Sequence, residues 1–317
     1  MVFYVGRYRG IERMQFEVEV ITPLFLGGAE PKKAELRAAS VKGALRFWWR
    51  ALYGTNDLGK MRQEESQIFG STEQKSSFSL RLEGLGDTKP ILCNLPRGRL
   101  VPVERKGRKF NVSIIEYLAF GLHERDKGKR QTLYTREHIP PGAKFKIILW
   151  IKDGAAREQV INSLSMLVNY GGLGARSRNG FGSLHVEGLQ APLKREGALK
   201  PFTAFSAKTI LFNGFEEKDK WEDALSDVGL AYRRARLSLE PKHVFEKRQL
   251  IAKPIVNIRE RHAKPYFLHV RKTENGKYQG QILFLPYSYH EEPKRNQYIE
   301  ACNQINKVIW QITGGSK

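Results

Sequence analysis

Gly171-Gly-Leu-Gly-Ala-Arg-Ser-Arg-Asn-Gly-Phe-Gly182 stands between a predicted helix and a predicted strand, and its composition suits neither element. Five glycines in twelve residues forgo side-chain packing and carry a large conformational-entropy cost. Such a run makes sense where the backbone must turn tightly or touch a ligand closely. Arg176 and Arg178, with Ser177 between them, place two guanidinium groups inside that bare backbone. An anionic partner is the simplest reason for both features.

Outward from this run the periodicities alternate. Before it, Lys144 to Lys152 reads as a strand, and Arg157 to Asn169 as a helix with Val160, Leu164, Leu167 and Val168 on its apolar side. After it, Phe181 to Glu187 reads as a strand. Further upstream, Gln15 to Ile21 alternates as a strand that Thr22-Pro23 ends, since proline removes a backbone donor. A helix from Val41 to Tyr53 follows, with Ser40 as its cap candidate. Val41, Leu45, Trp48 and Leu52 fall on one face of this helix, while Lys42, Arg46 and Arg50 stack opposite them at i, i+4, i+8. Gly43 leaves the backbone bare close to Arg50, at a cost of about 1 kcal/mol relative to alanine, so an anion-facing stripe is expected. Trp48 is expected in the core, and Trp49 nearer the basic edge, where it could stack or pack against another subunit.

Gln63 to Phe69 reads as a short helix, Ser76 to Glu83 as a strand and Ile91 to Leu95 as a second strand beside it. Arg97 to Lys109 reads as a basic hairpin or flap broken by Gly98, Pro102 and Gly107, and Arg125 to Arg130 as another basic patch. The order of elements is that of an α+β, ferredoxin-like (RRM-like) αβ sandwich with large loop insertions. In it the glycine run leaves a helix and enters an exposed sheet-edge strand. Near 192–201 the composition shifts to Lys, Gly and Pro, so two domains are expected, 1–192 and 193–317. In the second, a strand at Thr203 to Phe212, a helix at Trp221 to Tyr232, a hairpin turning at Asn275-Gly276 and a helix at Gln297 to Gln311 suggest an incomplete or divergent ferredoxin-like unit.

With 317 residues, 41% of them hydrophobic, the chain can bury substantial cores. Its 54 Lys and Arg against 33 Asp and Glu leave a net charge of +21, which predicts a polyanionic partner, most often nucleic acid. Only Cys93 and Cys302 are present, which excludes a disulfide scaffold and a cysteine zinc site. No His-x-x-x-His or Cys-x-x-Cys occurs, so neither metal nor cofactor is expected. No apolar stretch reaches transmembrane length and no leader pattern opens the chain, so cytoplasmic residence and no membrane partner are expected.

A phosphate-binding P-loop needs a lysine and a hydroxyl after its last glycines, but Phe181-Gly182 follows Gly180. The dinucleotide fingerprint needs a strand before and a helix after, and here the order is reversed. Metal-independent RNA cleavage would need a histidine paired with a lysine or tyrosine. His243 and His262 are the candidates, yet nothing in the sequence orients them. Binding without chemistry is the stronger inference, because basic features recur and no reactive constellation does. A protein-interaction adaptor, its positive charge answering an acidic subunit, is the third alternative.

Ile21-Thr-Pro-Leu-Phe-Leu-Gly-Gly28, Glu35-Leu-Arg-Ala-Ala-Ser-Val-Lys-Gly-Ala-Leu-Arg-Phe-Trp-Trp-Arg50 and the Gly-x-Gly-x5-Gly-x-Gly run from Gly172 to Gly182 together resemble the RAMP superfamily of CRISPR RNA-binding proteins. More narrowly they resemble the family of first subunits of the Cmr effector module of type III-B systems. The resemblance covers most of the first half. It implies two ferredoxin-like domains, a non-catalytic RNA-binding role, partnership with CRISPR RNA, target RNA and other Cmr-type effector subunits, and a place near the 3′ part of the CRISPR RNA. By motif, Lys42, Arg46 and Arg50 correspond to the family's basic helix and Gly172, Gly174, Gly180 and Gly182 to its glycine-rich loop. Arg176 and Arg178 occupy the loop's variable middle, so their assignment rests on their chemistry. The related processing nucleases use a histidine near their N-terminus, whereas the first histidine here is His123.

Overall fold

A computed structural model describes residues 10–105, 107–126, 131–151, 154–191, 193–241, 244–253 and 262–314. The first sheet is built from β1 (Glu12–Val20), β2 (Phe78–Glu83), β7 (Lys144–Ile151) and β8 (Leu184–His185), in the order β2-β7-β1-β8 with every pair antiparallel. Along β1 the period of two turns Met14, Phe16, Val18 and Val20 into one apolar core. Helices α1 (Ala38–Tyr53) and α4 (Gly154–Tyr170) contribute to that core through Leu45, Trp48, Trp49, Val160, Leu164 and Leu167. Chain order and strand order together give a βαβ unit on each side of a long insertion.

That insertion carries two hairpins, β3 (Leu100–Arg105) with β4 (Arg108–Ser113) and β5 (His123–Asp126) with β6 (Gln131–Tyr134), separated by the short helix α3 (Ile114–Leu118). The basic flap expected at 97–109 is part of the first hairpin. Ile91 to Leu95 is not a strand. Ile91 bridges His138, Asn94 Oδ1 accepts from Tyr134 N–H at 3.3 Å and Leu95 is buried in the core of the second sheet, so the segment is held across the insertion and does not extend the edge of β2.

The second sheet pairs β11 (Tyr266–Lys272) with β12 (Tyr278–Phe284), and the far edge of β12 takes the short strands β9 (Ile210–Phe212) and β10 (Glu217–Lys218). Asn275-Gly276 turns the β11–β12 hairpin as expected, with Gly276 at φ +74°. Helices α5 (Trp221–Leu237) and α7 (Arg295–Thr313) cover this sheet through Leu225, Val228, Tyr232, Tyr298, Ile305 and Ile309; a short helix, α6 (Arg248–Ile251), packs against α7. The apolar packing does not stop at residue 192. Ile21, Phe25, Ile114 and Phe181 join the core of the second sheet, and Phe205, Phe267 and Leu283 join that of the first. No helix among the described residues is long and apolar enough to cross a membrane.

Candidate nucleic-acid interface

The glycine run links α4 to β8, and most of its close contacts are to the chain itself. Leu173 N–H donates to the Gly182 carbonyl (3.0 Å), Ala175 N–H to the Phe25 carbonyl (2.8 Å) and Gly182 N–H to the Pro23 carbonyl (3.0 Å). Thr22 Oγ1 donates to the Gly180 carbonyl (2.7 Å) and accepts from Ser183 N–H (2.9 Å). On the other side, Leu268 N–H of β11 donates to the Arg178 carbonyl (3.2 Å), and His269 Nδ1 bonds the Gly171 carbonyl (2.8 Å). Gly174 and Gly182 take φ +79° and +65°, where a Cβ would run into the Phe25 and Leu173 carbonyls. A Cβ on Gly172 would meet the Phe181 carbonyl oxygen at 2.7 Å, and Gly180 lies against Leu225 and Leu268. The expectation of an exposed glycine loop offering its backbone to a ligand is corrected on this point. The close approach that needs glycine is to β11 and to the segment after β1, which buries Gly180 and Gly182.

The basic stripe of α1 is likewise engaged by the chain itself, although Arg50 remains exposed. Helix α2 (Leu58–Phe69) lies across it and presents Glu65, whose side chain is 9% exposed. Arg50 pairs with Glu65 through Nε and through Nη2 at 2.8 Å. Arg46 reaches the same carboxylate at 3.4 Å and caps the end of α2 by donating Nη2 to the carbonyls of Phe69 (3.1 Å) and Gly70 (2.7 Å). The Glu65 hydrogen bond holds the Arg50 pKa above its ordinary value, against burial. Lys42 stands 4.9 Å from the Phe78 ring centroid, its pKa lowered by burial and by Arg46. The stripe therefore joins two helices and a strand. Gly43 alone matches the expectation of bare, open backbone, being exposed with nothing within 4 Å of where a Cβ would stand. Ser40 is inside the helix, with Arg37 at the N-cap position. Trp49, expected nearer the basic edge, is buried and donates Nε1 to Gln159 Oε1 at 2.6 Å.

What the glycine loop does present is its middle. Arg176 is exposed and, at φ +62°, left-handed without being glycine. Its guanidinium packs on the bare backbone of Gly121, where a Cβ would lie 2.7 Å from Nη2. Half-buried Ser177 closes the turn, its carbonyl accepting from Gly180 N–H (3.1 Å). Arg178 stacks over Phe267 (4.5 Å) and Phe47 of α1 (5.3 Å) and donates to the Lys264 carbonyl (2.6 Å). The Lys264 ammonium stands 4.3 Å from the Tyr232 ring centroid. Burial, then Arg178, Arg236 and Arg176, push the Lys264 pKa well down. Burial and Arg136 lower that of Arg176, and burial brings Arg178 down to about 10. Arg236 Nε is buried with no hydrogen-bond partner. Among the described residues no carboxylate forms an ion pair with Arg136, Arg176, Arg178, Arg236 or Lys264. These five cations come from the loop after β6, the glycine run, α5 and the approach to β11.

The RAMP superfamily model matches residues 17–185, which takes in the first sheet, α1, α4 and the whole glycine run. The chain belongs to the RAMP superfamily. Over 189 residues it is 34% identical to the CRISPR system Cmr subunit Cmr1-2 of Pyrococcus furiosus, an alignment spanning 56% of this chain and 97% of that protein. Its fold is similar to that in the crystal structure of Cmr1 from Pyrococcus furiosus in the apo form, with TM-score 0.57 and 21% identity over 94% of this chain and 96% of that one. It is also similar to a chain of the cryo-EM structure of the Type III-B Cmr-beta bound to cognate target RNA, with TM-score 0.52 and 12% identity over 95% and 100% of the two chains.

In this RAMP chain the histidines raised as general acid or base candidates are accounted for differently. His243 lies outside the described residues. His262 is half-buried, with Nε2 against the Leu250 carbonyl (3.0 Å) and the Tyr287 hydroxyl, and burial lowers its pKa. The ring is thus held by its own surroundings. Arg136, Arg236 and Lys264 carried no sequence signal linking them to Arg176. The run Arg233-Arg-Ala-Arg236 at the end of α5 is a local basic cluster that by itself points to no other part of the chain.

Proposed function

We propose that this chain is a non-catalytic RNA-binding subunit of a type III-B (Cmr) CRISPR ribonucleoprotein, holding the 3′ part of the CRISPR RNA, its target RNA, or both, through phosphate contacts. The relationship to Cmr1-2 and the fold shared with a chain of an RNA-bound Cmr-beta complex support the assignment. The observation that carries the RNA reading is the group of five cations that includes Arg176, with which no carboxylate among the described residues forms an ion pair. Like charges gathered in partly buried positions repel one another, and a phosphate chain relieves that repulsion. Arg176, Ser177, Arg178, Lys264, Arg136 and Arg236 form the contact surface, continued across Phe47 to the open backbone of Gly43. Lys42, Arg46 and Arg50 act one step back, fixing α1 so that Phe47 can support Arg178.

Phosphate contacts position a strand without reading it, so identity is left to guide pairing. The two halves are each a ferredoxin-like unit in this reading. The first has the strand order β2-β7-β1-β8, and the second is the divergent one, with β11 and β12 paired and the short β9 and β10 sharing the remaining edge of β12. The other partners are Cmr-type subunits, and the setting is the cytoplasm.

The test is the salt dependence of single-stranded RNA affinity for the wild type and for Arg136→Ala/Arg176→Ala. Removing these two phosphate-neutralising side chains should reduce the log–log slope by about 1.4, about 0.7 for each. An unchanged slope and affinity in a folded double variant would refute the assignment of this surface.

A further inference from the structure

Phe120 is the most exposed large apolar side chain of the described residues, at 73%. It is not on a loose loop. Its neighbours Ala119 and Leu122 are buried in the core of the second sheet at 0% and 2% exposure, and Leu122 N–H closes the turn onto the Ala119 carbonyl at 2.9 Å. Asn179 of the glycine run donates Nδ2 to the Leu118 carbonyl (2.7 Å), which ties this turn to the loop that carries Arg176. The next residue, Gly121, sits at φ +88° and receives the Arg176 guanidinium on its backbone. A phenyl ring is thus held into solvent on a turn fixed from both sides, one residue from the point where the Arg176 guanidinium rests.

We infer that Phe120 is a stacking platform for a base of single-stranded RNA, with Arg176 and Arg136 holding the adjoining phosphate. This rests on the RNA-binding reading above and adds to it a preference for unpaired strands. An aromatic ring offers every base a π-face without choosing among them, whereas bases inside an A-form duplex are already stacked and out of reach. A ring carried on a turn whose backbone is already fixed, with only two side-chain torsions to order, loses little freedom on binding. The positive surroundings favour nucleic acid over an apolar protein segment as occupant, because the turn that holds the ring also receives the Arg176 guanidinium, which forms no ion pair with a carboxylate among the described residues.

The experiment uses the full chain with a short unstructured RNA and with the same RNA fully paired, for the wild type and for Phe120→Ala, Phe120→Leu and Phe120→Trp. Thermal melts confirm that these exposed-site variants fold. The expected result is single-strand affinity weakened about tenfold in Phe120→Ala and Phe120→Leu and kept in Phe120→Trp. Duplex affinity and the salt slope should stay at wild-type values, since every phosphate-binding group is retained. Unchanged single-strand affinity in Phe120→Ala, equal loss for duplex, or a loss confined to binding a neighbouring protein subunit would overturn the inference. If the wild type itself binds RNA without salt dependence, the underlying function falls and this site with it. If the wild type binds as proposed and only the Phe120 series is flat, this site alone is wrong.

Discussion

Replacing Arg46 with alanine separates the two roles open to the α1 stripe. The guanidinium donates to the Phe69 and Gly70 carbonyls at 3.1 and 2.7 Å and lies 3.4 Å from Glu65, with about a third of the side chain exposed. A hydrogen bond to a charged group contributes about 1.5–3 kcal/mol when well shielded, and partial exposure reduces each of the two carbonyl bonds toward about 1 kcal/mol. The third interaction adds little, because Glu65 keeps Arg50. The substitution also leaves the last carbonyls of α2 to water. Together these effects amount to about 2–3 kcal/mol. With an unfolding entropy of about 2.1 cal/mol/K per residue, that lowers Tm by about 4 °C for a cooperative transition of a chain this long. RNA affinity, measured on the folded fraction, should change by less than about twofold. A variant that keeps its Tm and loses RNA binding would refute the structural role and restore the stripe as an RNA contact.

Gly182→Ala should destabilise by about 3 kcal/mol or more, since it combines a left-handed backbone at φ +65° with a collision against the Leu173 carbonyl, and backbone cannot swing aside. Urea unfolding checks this, and a midpoint within error of wild type would contradict it. The protein should also lose stability in mild acid through His269. Burial, opposed in part by the Gly171 carbonyl, takes its pKa down to about 4 from the ordinary 6.5. Between those values the unfolded chain binds more protons than the folded one, so this contribution is intact above pH 6.5 and falls as pH drops toward 4. At about 1.4 kcal/mol per unit the loss is at most about 3 kcal/mol. His269→Asn, which can keep the bond to Gly171 without titrating, should flatten the acid limb of the stability–pH curve; an unchanged limb would exclude His269 as its source.

Elements with long periodic faces were legible in the sequence. The apolar spacings predicted α1, α4, α5 and α7 to within a few residues at most ends, and Asn275-Gly276 marked its hairpin. What a charge or a glycine faces was not legible, for one physical reason. An i, i+4 row of cations looks alike whether it faces a phosphate chain or a single acidic residue such as Glu65 on another helix. A glycine likewise shows that something approaches the backbone closely, and not that the approaching group is Phe25 or Leu268 of the same chain. Phe120, between Ala119 and the Gly121-Leu122 pair, reads as one more apolar residue of a core segment. Only the fold shows that its neighbours are buried and it is not. The cations around Arg176 converge from residues 136, 176, 178, 236 and 264, a distance in sequence that no local pattern spans.

If RNA lies on the face made by the middle of the glycine run and the approach to β11, photocrosslinking of the protein in its RNA-bound complex, with peptides identified by mass spectrometry, tests it most directly. The expected adducts fall in the peptides carrying Phe120, Arg176 to Asn179 and Lys264, with none in α1 between Lys42 and Arg50 other than at Gly43 or Phe47. Crosslinks concentrated on Arg46, Arg50 and α2, with those three peptides unmodified, would contradict it.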